Sequence, residues 1–310
     1  MAPKVGLITN TEAFGKQADL ETNIIQVGWT ATPFLSTIRS AAPASRSAKA
    51  ASGHRWFYDE VPEGDTNNAF VEGSTPASAK YYVGSELVNH YQIVKNTYGL
   101  SGSEKESTMV NGKSVLTDQF EKATIQQKKS LEMILVSNQA AVQRVNTAGS
   151  EVAGKCGGLK SFATANNTIT ESATTLAWKD IREMLKIGFL NGCPYTHIMM
   201  NDIQKDALDD ILFAKTQITS FNASRLENNV TMIGSTSYGN NISILLNPYM
   251  ADDEIIAFNP KDIYKVNWRP MMTEELARTK DAIEKELISE FTLRVCHPYA
   301  FAWLKGLKTV

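Results

Sequence analysis

The chain is poor in the residues that build active sites and covalent frameworks. Its 310 residues include three cysteines and four histidines. Cys156, Cys193 and Cys296 have no CxxC spacing, which argues against a zinc ribbon or a thiol–disulfide motif. Three thiols cannot make a framework of bridges and point to a reducing compartment. Cys296 and His297 are adjacent, and on a strand such neighbours point to opposite faces and do not chelate one ion. His54, His90 and His197 are scattered and read as surface or satisfied structural histidines. No window approaches the roughly 18 apolar residues of a membrane helix. No long apolar core follows a basic start over Met1 to Asn10, so a secretory signal is not expected. Charge of one sign is also lacking. With 31 basic and 33 acidic residues the formal charge is −2, which excludes a protein that coats nucleic acid with its whole surface. An apolar share of 43% is enough for a core and excludes a disordered chain.

Two short stretches come near to a chemical motif. Gly149-Ser-Glu-Val-Ala-Gly-Lys-Cys156 has the spacing of a phosphate-binding loop with Cys in the place of the final hydroxyl residue. Such a loop needs a buried strand before it and a helix after it, so that backbone N–H groups converge on the phosphate. Here a polar helix precedes it and Gly157-Gly158 follows, and the magnesium-binding hydroxyl is missing. Asp252-Asp253-Glu254 could hold a metal but reads first as a solvated turn. A G-x-S-x-G nucleophile elbow is absent.

What the chain does have is an N-terminal third that cannot bury itself. Leu20, Ile24, Ile25 and Val27 make at most a turn or two of helix, and Trp29, Pro33 and Phe34 follow. Residues 40–53 are rich in Ala and Ser and lack large apolar groups. No acid occurs between Glu21 and Asp59, while Arg39, Arg46, Lys49 and Arg55 are basic. The segment reads as a solvated linker or as an arm ordered against another surface, and Trp29 and Phe34 favour the arm. Arg39, Arg46 and Lys49 could touch nucleic-acid phosphates, though too few for strong binding.

Two β-like runs follow, Arg55 to Val61 and Tyr81 to Lys95, separated by the turn-rich Pro62 to Pro76. The pair predicts a long hairpin with an acidic tip at Glu63, Asp65 and Glu72. A two-stranded ribbon is marginal alone in water, so it needs a surface to lie on. Phe120, Leu131, Ile134, Leu135, Val142 and Val145 then predict one long helix over about 118–145, roughly 40 Å in length. Beyond Thr170 an α+β unit is expected. Its parts are a helix at Trp178 to Phe189, a strand at Tyr195 to Met200 and a helix opened by an Asn201/Gln204 capping box. A hairpin around Tyr238-Gly-Asn-Asn241 completes it. The chain ends in strands, among them Leu287 to Val295 with one face in a core and one exposed.

The order of basic arm, β-ribbon, long helix, compact α+β lobe and returning strands resembles the major capsid proteins of tailed bacteriophages, with their HK97-like shell fold. Local sequence carries the likeness as well. Thr11 to Leu20 with Thr30-Ala-Thr-Pro-Phe34 is similar to the opening of one branch of phage head proteins. Trp56-Phe-Tyr-Asp59, Glu72-Gly73, Asn89-His-Tyr-Gln-Ile93 and Leu100-Ser-Gly102 are similar to that branch's ribbon. Leu276 to Asp281, Glu290-Phe-Thr-Leu293 and Ala300 resemble its closing segment.

The resemblance implies an α+β fold of the HK97-like capsid type. It divides the chain into an N-terminal arm at 1–54, an extended β-hairpin loop at 55–100 and a peripheral domain with the spine helix at 101–154. An axial domain at 155–252 and peripheral return strands at 253–310 complete it. It implies a structural subunit, not an enzyme, without cofactor or metal, that self-assembles through hexameric and pentameric capsomers into an icosahedral head. The head would enclose double-stranded DNA through non-specific contacts. Portal and possibly decoration or scaffolding proteins would be further partners, with no membrane contact. Assembly would occur in the host bacterial cytoplasm, and the protein would reside in the virion.

Contacts between copies are expected at Trp29, Phe34, Glu63, Asp65 and Glu72, and DNA-facing residues at Arg39, Arg46 and Lys49. Some members of the family weld subunits through a loop lysine. No lysine lies between Lys49 and Lys80, so a non-covalent shell is expected. The family motif starts by about Thr11, so no cleaved N-terminal scaffolding segment is expected. Two alternatives stay open: a cellular protein nanocompartment of the same fold, and a phosphate-handling enzyme built around Lys155.

Overall fold

The computed structural model describes residues 28–45, 53–76, 78–107, 109, 112–215, 232–236, 238–278 and 280–309. The segment containing Arg46 and Lys49 lies outside them. A one-turn helix α1 (Pro33–Thr37) and a short strand β1 (Arg39–Ala41) come first. A ribbon of β2 (His54–Tyr58) and β3 (Ser85–Asn89) follows, and then β4 (Gln92–Ser101) and α2 (Gly102–Lys105). The spine helix α3 is Val115–Val136. Next come β5 (Thr168–Thr174), α4 (Trp178–Leu190), β6 (His197–Met200), α5 (Asp202–Lys215), β7 (Met232–Thr236) and β8 (Gly239–Leu246). The chain closes with β9 (Glu254–Phe258), β10 (Ile263–Glu275), β11 (Ala282–Val295) and β12 (Phe301–Leu307).

Two sheets organise the molecule. The four-stranded sheet runs β1-β10-β11-β4 and the six-stranded sheet β5-β12-β9-β6-β8-β7. The closing segment divides between the two sheets, with β10 and β11 in the four-stranded one and β9 and β12 in the six-stranded one. Strands β9 and β12 pair with each other inside the six-stranded sheet. Strand β9 shows why: its five residues Glu-Ile-Ile-Ala-Phe are all buried. With a side-chain period of two, Ile255 and Ala257 face a cluster with α4 and α5, while Ile256 and Phe258 face a cluster with α3. A strand apolar on both faces is stable only between two layers.

The spine helix is shorter than its periodicity predicts. It stops at Val136, and Val142 and Val145 instead form bridges with Lys155 and Val152 in a small hairpin. The stop has a tertiary cause. The backbone at Gly158 crosses the last turn so closely that a Cβ there would lie 2.2 Å from the Ser137 carbonyl oxygen. The buried side of α3 is built on Ala123, Gln127, Leu131 and Leu135, spaced by four, with Asp118, Glu132 and Val136 also buried. Gln127 belongs to it because its amide donates to Ser289 Oγ at 2.9 Å in β11.

The second ribbon limb also differs from the continuous strand predicted over Tyr81 to Lys95. It breaks at His90 and Tyr91: β3 pairs with β2, whereas β4 joins the four-stranded sheet beside β11. Strand β11 is covered on both faces from Leu287 to Leu293, in place of one face exposed. Its odd positions meet α3. On the other face Glu290 is clamped by Arg144 at 2.6 Å and Arg269 at 3.0 Å, and Thr292 lies by Cys156. Asn201 does cap α5, but Gln204 turns away from the capping box to the carbonyls of Asp252 and Lys308.

Candidate functional site

The ribbon is fixed at its root and bare at its tip. On β2 the alternation of the sequence places His54 and Trp56 inward and Arg55 and Phe57 outward. Trp56 donates its indole N–H to the Val295 carbonyl at 2.7 Å, and its ring lies beside His54 and Phe162. Asn89, the residue opposite His54, is fully buried. Its amide nitrogen donates to the carbonyls of Leu293 at 2.7 Å and Gly157 at 3.0 Å. Its oxygen accepts from the N–H groups of Gly157 at 2.7 Å and His90 at 2.9 Å. One side chain thus joins the ribbon, β11 and the segment after α3. Burial lowers the pKa of His54, with Arg294 adding to it, and burial lowers that of His90, with Arg55 adding to it. His54 Nε2 and His90 Nδ1 are both buried without a hydrogen-bond partner.

From Asp59 to Gly84 the chain leaves the body. Val61 is 92% exposed, Val71 82% and Tyr81 87%, and Phe70, Tyr82 and Val83 are exposed with them. Glu63, Asp65 and Glu72 sit in this loop, also exposed, and Asp65 accepts from the Asn67 amide at 2.9 Å. Lys80 also falls in the loop, because the returning strand starts at Ser85 and not at Tyr81. So many large apolar groups in one loop are unusual on a lone soluble domain and mark a surface for association.

The arm behaves differently in its two halves. Trp29 is exposed. Phe34, expected at a contact between copies, is instead fully buried in its own chain, edge-on to Phe258 with ring centroids 5.3 Å apart. The cause is Glu132, a buried carboxylate on α3. It accepts from the N–H groups of Phe34 at 2.8 Å and Leu35 at 2.7 Å, the open donors of the first turn of α1, and from Asn247 at 2.7 Å. Burial raises the Glu132 pKa against these three stabilising hydrogen bonds. Periodicity could not find this latch, since a glutamate on a helix reads as solvated. Arg39 is exposed in β1.

The near-motifs lose their chemical readings. Val142 and Lys155 pair across a hairpin, so Gly149 to Lys155 is neither preceded by a strand of a parallel sheet nor followed by an α-helix. Cys156 is buried and its thiol is pushed up to about 11. Glu254 of the acidic triplet does not lie in a solvated turn. It opens β9, is buried, pairs with Lys160 and accepts from the Trp303 indole at 2.9 Å. Among the described residues no group of three or more His, Cys, Asp or Glu side chains could hold a metal ion. No described helix is long and apolar enough to cross a membrane.

Solved structures share this architecture. The capsid of cyanophage A-1(L) matches with a TM-score of 0.65 at 10% identity, over 97% of this chain and 98% of that one. A structure from Microbacterium phage Oxtober96 matches at 0.63 and 15% identity, covering 97% and 99%. The SrpI encapsulin complex of Synechococcus elongatus PCC 7942 matches at 0.61 and 11% identity, covering 94% of each chain. At these identities the likeness shows the HK97-like fold. No curated relative matches by sequence. The family is shown by the sequence itself. Residues 7–308 match the model of the SU10 major capsid protein, and the chain belongs to that family of shell-forming structural subunits.

Proposed function

We propose that the chain builds an icosahedral phage head around double-stranded DNA, through hexameric and pentameric capsomers, and that the loop from Asp59 to Gly84 is its principal tie to neighbouring copies. The observation that supports this is the contrast along the ribbon. The root at Trp56 and Asn89 is anchored in its own chain, while Val61, Phe70, Val71, Tyr81, Tyr82 and Val83 have no cover. A closed shell supplies that cover from the next copy, and many modest contacts add through multivalency. Glu63, Asp65 and Glu72 meet basic groups there, and exposed Trp29 lies at a second contact. Arg39 faces the DNA, and Arg46 and Lys49, outside the described residues, add charge to the same stretch of sequence. The four-stranded sheet with α3 forms the peripheral domain and the six-stranded sheet the axial domain. Portal and decoration or scaffolding proteins complete the head, which assembles in the bacterial cytoplasm, and the subunit has no catalytic role.

The shell is held without covalent welds, since no lysine lies between Lys49 and Lys80 and the tip of the loop has none to offer. Denaturing mass spectrometry of particles should give single chains, and covalent multimers would contradict it. Negative-stain microscopy and sedimentation of the purified full chain test the main proposal. Closed particles with nucleic acid inside are the expected result. A monomer at high concentration whose loop amides are already protected from exchange would sink it. A shell around an enzyme is the second reading, because encapsulin shares the fold. The cargo of the particle separates the two.

A further inference from the structure

The lobe built on the six-stranded sheet carries two helices whose outer faces have opposite charge. Helices α4 and α5 cover the same face of that sheet. Ile181, Met184 and Leu185 of α4 and Leu208 of α5 share one core cluster with Ile198, Ile255, Ala257 and Ala302. The solvent side of α4 presents Lys179, Arg182 and Lys186 and ends in exposed Phe189 and Leu190. These positions recur at intervals of three and four, so they form one stripe. The solvent side of α5 presents Asp202, Asp206 and Asp210, again one stripe. Each stripe covers about two turns, roughly 10–12 Å, so the two match in length.

Among the described residues the two stripes are neutralised only in part. Lys179 pairs with Glu183 on its own helix, at 3.4 Å. Arg182 and Lys186 make no ion pair with α5 or with any other described residue. On α5 the pair Lys205–Asp209 lies on the buried side, and the outer acids Asp206 and Asp210 make no ion pair with any other described residue. An exposed cation stripe and an exposed acid stripe on one lobe are complementary between copies, the cations of one meeting the acids of another. In the capsomer ring of the proposed shell this contact is head-to-tail, with different patches of successive copies meeting until the series closes.

We propose that the basic face of α4 in one copy docks on the acidic face of α5 in the next, with Phe189 and Leu190 as the apolar end of the contact. This deepens the shell reading and rests on it. Single exposed ion pairs contribute little, but repeated around a ring they set register and steer encounter, and reversing one face places like charges together. A basic stripe could also serve DNA. The matching acidic stripe argues for a second copy, because an acidic face beside DNA would repel it.

The test is charge reversal and restoration in the full chain. Arg182→Glu with Lys186→Glu is one variant, Asp206→Lys with Asp210→Lys a second, and all four changes together the third. Circular dichroism and thermal melting check that each is folded. By sedimentation and negative-stain microscopy, each double variant should lose about tenfold or more of the assembled particle, the free-energy equivalent of one or two repelling pairs. The fourfold variant should recover assembly, because opposite charges meet again across the contact. Folded double variants that assemble like the wild type would overturn the inference, as would a folded fourfold variant that does not recover. Intact particles that lose nucleic acid only in the Arg182/Lys186 variant would assign that face to DNA instead. A wild-type chain that stays monomeric would sink the shell reading itself, a result distinct from each of these.

Discussion

The indole N–H of Trp56 reaches the carbonyl oxygen of Val295, 2.7 Å away and 239 residues later in the chain. This bond ties the first strand of the ribbon to the end of β11, one of the two inner strands of the four-stranded sheet. It fixes where the loop leaves the body. Trp56→Phe keeps most of the packing but leaves the Val295 carbonyl unpaired. We expect a loss of about 1–3 kcal/mol in stability, read by denaturant unfolding, and earlier proteolysis in the loop. An unchanged midpoint and unchanged proteolysis would show that the bond does not anchor the ribbon.

Asn89 carries more than Trp56, because four polar partners converge on one amide. Asn89→Ala leaves two carbonyls and two N–H groups without it, and a cost of about 2–4 kcal/mol is expected from several unsatisfied groups. Asn89→Asp keeps the acceptor but puts a second oxygen against the carbonyls of Leu293 and Gly157 in a buried site, so it should cost at least as much as alanine. Thermal melting of the three proteins checks the order.

Glu132 holds the arm. In Glu132→Gln one side-chain position becomes a donor facing the N–H group of Phe34 or Leu35. A loss of about 1–3 kcal/mol is expected, with faster amide exchange at those two residues. The pH sense follows from the raised pKa of the buried carboxyl. Its contribution is complete below the ordinary carboxylate range and declines as pH rises through the raised value. The glutamine variant should lose that decline.

The histidines act in the opposite sense. Burial lowers the pKa of His54, His90, His197 and His297 from the ordinary value of 6.5. Their contribution is therefore complete above that value and is lost as pH falls through the lowered ones. Melting temperatures should drop between about pH 7 and 5. His54→Phe keeps a ring beside Trp56 and Tyr91 and removes the unpartnered Nε2, so its drop should be shallower. An equal drop in the variant would remove His54 from the account.

The loop acids are a separate matter from stability. Glu63, Asp65 and Glu72 are exposed, so changing all three to lysine should leave melting unchanged within about 0.5 kcal/mol while reducing assembly. Intact shells in micrographs of that variant would show that these charges do not meet a neighbour.

Much of this organisation is legible in local sequence. The alternation His54-Arg-Trp-Phe-Tyr58 sets which side of the ribbon faces in. The turn formers between Pro62 and Pro76 make the loop, and the apolar spacing around Leu131 and Leu135 makes the spine helix. The ends of elements are less legible. Val142 and Val145 fit a helical repeat, and only the passage of Gly158 over Ser137 stops the helix before them. Tyr81 to Lys95 fits one strand, and only the four bonds of Asn89 break it in two.

The amino-acid sequence by itself determined the kinds of element and their order, because turn chemistry and side-chain periodicity act between residues a few positions apart. Tertiary structure alone decided the fates of Phe34, Glu132, Asn89, Lys160 and Glu290. The reason is physical. A polar or charged side chain is buried only where donors and acceptors from remote segments meet it, and whether a phenylalanine is covered depends on which distant surface closes over it.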